Sequence, residues 1–138
     1  MGRILAIDYG LKRTGLAVTD PLKIIASSLE TVETKMLTDF LKAYVAKESV
    51  ETIVLGMPKN LNNQDTDTTQ VVKQRKAELT KLFPDINIVY EDERFTTVMA
   101  HSVIMGSGIN KKARRDKGLV DKVSATIILQ SYMQRMGL

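Results

Sequence analysis

The chain reads as an α/β protein: a mixed sheet with helices on both sides. Three observations predict this. Three short strand-like segments with brief connections open the chain, which is the pattern of antiparallel hairpins. Helical and strand-like segments then alternate, the pattern of crossover units. The opening segment, Ile4-Leu5-Ala6-Ile7, is a nearly continuous apolar run, as in a strand buried on both faces.

Taken in order, strands are predicted over 3–9, 14–19 and about 25–29, joined through residues 10–13 and Asp20-Pro21-Leu22-Lys23. Leu37, Phe40, Leu41, Tyr44 and Val45 recur at helical spacing and predict a helix over 37–48. Residues 52–56 read as a buried strand broken at Gly56-Met57-Pro58. The Asn- and Asp-rich stretch 59–68 reads as a surface loop. A helix follows over 69–82, stopped before Pro84, and then a strand over 86–91. Thr96 or Thr97 caps a helix reaching about 105. Residues 106–117 form a second loop, and a last helix runs over about 118–136. Met99, Met105, Met133 and Met136 read as core filler at helical spacing. The 138 residues suit one domain, with no repeat or interdomain linker.

Composition narrows the function classes. There is no cysteine, which excludes disulfides, thiolate zinc sites and a cysteine nucleophile. There is no apolar run of membrane-spanning length, about 18 residues, and no signal-peptide layout, so a cytoplasmic protein without membrane association is expected. The formal net charge of +4 is concentrated. Lys111, Lys112, Arg114, Arg115 and Lys117 oppose only Asp116, while the other 15 basic and 15 acidic residues balance. Such a patch suits a phosphate-rich partner or, equally on this feature, a solvated loop.

Ligands of open α/β sheets sit at the carboxyl ends of strands. There the chain places Asp8, Gly56 and the run Glu91-Asp92-Glu93, and Asp121 opens the last helix. If the strand continues, alternation puts Glu91 and Glu93 on one face and Asp92 on the other. Asp8, Glu93 and Asp121 together have the hard oxygens that hold one or two Mg²⁺ or Mn²⁺ ions, as in sites for in-line attack on phosphorus. Each acid also has a structural reading: Asp8 as a turn cap, Glu93 paired with Arg94 or Lys112, Asp121 on a helix dipole. Tyr9 suits either base stacking or burial. The lone His101, in an apolar-faced helix, reads as packing or surface, and Ser124 has no histidine partner.

The ordered set of motifs resembles a known family. These are Ile7-Asp8-Tyr9-Gly10 with Lys12-Arg13 and Gly15; Asp20-Pro21; Val54-Leu55-Gly56-Met57-Pro58; Asp92-Glu93-Arg94-Phe95-Thr96-Thr97; Lys111-Lys112 with Arg114-Arg115; and Asp121 through Leu129-Gln130. The chain resembles the YqgF-type proteins, bacterial relatives of the RuvC Holliday-junction resolvase that carry the name of pre-16S rRNA nucleases. The resemblance implies a ribonuclease H-like five-stranded mixed sheet with the first strand central. It implies Asp8, Glu93 and Asp121 as the catalytic and metal-binding acids. Phosphate handling falls to Lys12, Arg13, Arg94, Lys111, Lys112, Arg114, Arg115 and Lys117. The implied reaction is phosphodiester hydrolysis in structured RNA or branched DNA. One departure from the resolvase pattern is that the fourth strand closes on Gly56-Met57-Pro58 without a carboxylate, so Glu93 substitutes. The competing expectations are a junction resolvase acting as a homodimer, a nucleotide-binding hairpin of the actin and sugar-kinase type, and a non-catalytic RNA-binding module.

Overall fold

A computed structural model describes residues 2–57, 67–92 and 117–138. In chain order these form β1 (Arg3–Asp8), β2 (Arg13–Thr19), β3 (Ala26–Glu33), a 3-10 turn (Thr34–Met36), α1 (Leu37–Lys47), β4 (Val50–Met57), α2 (Asp67–Leu82), β5 (Asn87–Asp92) and α3 (Lys117–Arg135). Among the described residues the strands make one five-stranded sheet in the order β3-β2-β1-β4-β5, with β1 central. The β1–β2 and β2–β3 pairs are antiparallel, and β4 lies parallel to both β1 and β5. This is the mixed sheet the hairpins and crossovers call for. The helix expected after Thr96 lies outside the described residues.

The burial of β1 follows its apolar run: Ile4, Leu5, Ala6 and Ile7 are all buried. Side chains alternate between two cores. Leu5 and Ile7 join Leu37 and Leu41 of α1 and Val72 and Leu79 of α2. Ile4 and Ala6 join Ala17, Val54 and the α3 residues Ala125, Ile128, Leu129, Tyr132 and Met133. Each fully buried Leu or Ile contributes roughly 1.5–3 kcal/mol, so both faces of β1 anchor the fold.

Two expectations need correction. The third strand runs to Glu33, four residues beyond the expected end. It is an edge strand, and its Ser27, Ser28, Glu30 and Glu33 face water, so a search for apolar residues stops early. Met136 is not core: it is 54% exposed, one residue past the end of α3. Met133, two residues before the end of α3, is buried as expected.

The β2–β3 turn is organised by Asp20. Its carboxylate accepts N–H bonds from Leu22 (3.2 Å), Ile24 (2.8 Å) and Ile25 (2.8 Å). Lys23 takes the left-handed conformation (φ 60°) inside this loop.

Candidate functional site

The alternation that sends Ile4 and Ala6 toward α3 also places Asp8, half-buried at the end of β1, on the α3 face. Ile7, Leu55 and Tyr90 lie in register across β1, β4 and β5. Asp8, Gly56 and Glu91 therefore follow at the next level. Two strand spacings, about 10 Å, separate the first from the last. Gly56 between them contributes no side chain. The carboxyl ends of three parallel strands thus meet where the sequence expects chemistry.

Glu91 shares that face but is occupied structurally. It is buried, its Oε2 accepts from Ser131 Oγ at 2.7 Å, and its Oε1 accepts from Arg135 Nη2 at 2.7 Å and Nε at 3.0 Å. This clamp joins β5 to α3. The carboxylate also keeps the Arg135 guanidinium protonated more firmly than usual, through the hydrogen bonds first and charge second. Asp92 falls on the opposite face by alternation, as expected.

Of the three expected metal ligands, Asp8 is described. Glu93 lies outside the described residues. Asp121 belongs to α3, four residues before Ala125, and its side chain lies outside them too. Among the described residues no three His, Asp or Glu side chains form a metal-sized group. Lys12 and Arg13 are exposed on the turn that follows Asp8. Arg94, Lys111, Lys112, Arg114 and Arg115 lie outside the described residues, as does the side chain of Lys117.

Tyr9 is a buried aromatic rather than a base-stacking platform: it is 7% exposed and sits in the core beneath α2. Its hydroxyl accepts from Arg75 Nε at 3.3 Å, and the guanidinium lies 5.6 Å from the ring centre. Glu78 holds the same arginine at 2.6 Å. Sequence patterns missed Arg75, Ser131, Arg135 and Thr34. All four act across long chain separations, and no local motif signals them.

A cleft lies at the far sheet edge, lined by Ile24, Ile25, Ala26, Gln130, Met133, Gln134 and Leu138. Its lining side chains are uncharged, and it is distant from Asp8, because β2 runs antiparallel to β1 and ends at the opposite edge. It has no group for phosphate chemistry.

Comparison with known proteins decides the family. The model of the family described as "RuvX: Holliday junction resolvase" matches residues 2–135. The chain belongs to the RuvX family. A Porphyromonas gingivalis protein is 56% identical over 133 residues, 96% of each chain. A Phocaeicola vulgatus protein is 53% identical over 134 residues, 97% of this chain and 96% of its own. Both carry the name "Putative pre-16S rRNA nuclease". Among solved structures, Thermus thermophilus RuvC in complex with a Holliday junction substrate aligns at TM-score 0.59 and 16% identity, covering 99% of this chain and 97% of that one. The fowlpox virus Holliday junction resolvase aligns at TM-score 0.61 and 12% identity, covering 97% and 99%. At such low identity the likeness establishes the fold: this RuvX-family chain has the RuvC-like, ribonuclease H-like architecture.

Proposed function

We propose that this chain is a metal-dependent endonuclease that hydrolyses phosphodiester bonds in structured RNA, acting on the 5′ end of pre-16S rRNA during ribosome assembly in the cytoplasm. The observation that carries this reading is Asp8. In a RuvX-family chain, an acid closes the central strand on the face that α3 covers, and two exposed cations follow it four and five residues on. Glu93, which follows β5 directly, and Asp121 complete the acid set in this reading, within a single nuclease domain spanning residues 1–138.

The donor chemistry suits a hard divalent cation. Carboxylate oxygens match Mg²⁺ or Mn²⁺, and a chain without cysteine has no soft thiolate to select another metal. When bound, such an ion supplies charge neutralisation at the scissile phosphate and a more acidic attacking water. The chain's own cations do the rest. Lys12 and Arg13 hold flanking phosphates, and Arg94, Lys111, Lys112, Arg114, Arg115 and Lys117 extend that grip along the RNA.

The test incubates purified protein with a pre-16S rRNA fragment and with a four-way DNA junction, each in Mn²⁺ and in EDTA. Metal-dependent cleavage of the RNA supports the proposal. Paired nicks in the junction alone would replace it with the resolvase reading, and salt-sensitive RNA binding without cleavage would replace it with a binding module.

A further inference from the structure

The turn that carries Lys12 and Arg13 has an unusual support. The β1–β2 ladder ends at the pair Asp8–Gly15, so residues 9–14 extend past β1 and lose its ladder partners. Backbone groups there need other partners. One residue supplies two of them. The Thr34 amide donates to the Lys12 carbonyl at 2.9 Å, and the Thr34 hydroxyl donates to the Gly10 carbonyl at 2.5 Å.

The hydroxyl of Thr14 lies 2.9 Å from that of Thr34, and both residues are buried. A hydroxyl has one proton to give. With the Thr34 proton committed to Gly10, Thr14 must be the donor between them. The result is a directed relay, Thr14 to Thr34 to Gly10, in which each bond polarises the next. The turn is also closed sterically: a Cβ on Gly10 would sit 2.3 Å from the Arg13 carbonyl oxygen. Leu11, Lys12 and Arg13 project outward from this braced backbone, all exposed.

We propose that Thr34, backed by Thr14, is a positioning residue that presents Lys12 and Arg13 to substrate phosphates. The proposal rests on the reading above of Lys12 and Arg13 as phosphate-binding cations, but not on whether the bound RNA is cleaved. The experiment measures binding of a structured RNA across a salt series for wild type, Thr34→Val, Thr34→Ser and a Lys12→Ala/Arg13→Ala double variant. Each lost phosphate contact lowers the slope of log affinity against log salt by about 0.7–0.9. The double variant should lose about twice that. Thr34→Val, nearly isosteric, should weaken binding roughly threefold to tenfold, the scale of one or two hydrogen bonds. It should flatten the slope in the same direction and raise KM more than it lowers kcat. Thr34→Ser, which keeps the hydroxyl, should restore all three.

A Thr34→Val protein that melts earlier but keeps wild-type affinity and slope below its melt would overturn the proposal. So would Thr34→Ser behaving like Thr34→Val, or a double variant with an unchanged slope. Should Thr34→Val not fold, Thr14→Val removes only the outer donor and should give a smaller shift of the same kind; no shift there rejects the relay. If no protein, wild type included, cleaves RNA in Mn²⁺, the nuclease reading falls while the slope comparison still decides the role of Thr34.

Discussion

A carboxylate at the end of an apolar strand is costly to desolvate, and Asp8 sits half-buried on the α3 face where β1, β4 and β5 end together. If it holds metal against phosphate, Asp8→Asn removes charge while keeping shape. Cleavage in Mn²⁺ should then fall by more than about 100-fold, the upper cost of losing even an outer-shell metal partner. If RNA affinity rests on the basic residues instead, it should stay at wild type; a gel-based cleavage assay beside a filter-binding assay reads both. Asp20 offers the contrast of an acid with a structural task. The Ile25 amide above all, and also those of Ile24 and Leu22, stabilise its carboxylate below its ordinary value of 3.8. Because the folded state favours the anion, this turn's stabilisation is present at neutral pH. It is lost only as pH falls through that depressed value. The amide resonances of Leu22, Ile24 and Ile25 should therefore titrate together below pH 3.8, and Asp20→Asn should abolish that titration.

At the level of elements, local pattern made most of this fold legible and long-range pairing made up the rest. The apolar run of β1 and the 37–45 periodicity of α1 lie where they were expected, whereas β4 starts two residues before the expected 52 and stays paired through Gly56 to Met57, so the glycine does not end it. Half of β3 was hidden because an edge strand needs no apolar face. At the site, alternation put Glu91 on one face of β5 and Asp92 on the other, and the register bears this out. It did not show that Glu91 is spoken for, since its partner Arg135 lies 44 residues onward. Arg135→Ala should therefore leave a buried carboxylate with only Ser131 and loosen α3 from β5. Removing one partner of a fully buried pair costs about 3–5 kcal/mol. Arg135 is 54% exposed, and solvent screening reduces the loss to about 1–3 kcal/mol in urea unfolding. Arg135→Lys keeps the charge but not the fork that bonds through two nitrogens, so it should recover only part of that stability.

The whole molecule carries its net charge unevenly. The sheet and its helices form a body whose acidic and basic residues balance, while residues 111–117 carry the entire excess of +4. The fold needs no such asymmetry, because a net charge says little about packing and much about partners. A family assignment to nucleases makes phosphate the natural counterpart. If this segment binds the backbone of RNA, its contribution is electrostatic and blind to sequence. Arg114→Glu/Arg115→Glu should then weaken binding to pre-16S rRNA and to an unrelated structured RNA of equal length by the same factor. For two phosphate contacts the salt slope should flatten by about 1.4–1.8 on both. The melting temperature, measured alongside, should hold if the segment serves binding rather than packing. Flattening on the precursor alone would assign the two arginines to recognition of a particular RNA shape. An unchanged slope on both would mean that the excess charge only keeps the protein soluble, leaving Lys12 and Arg13 as the cations that meet the substrate.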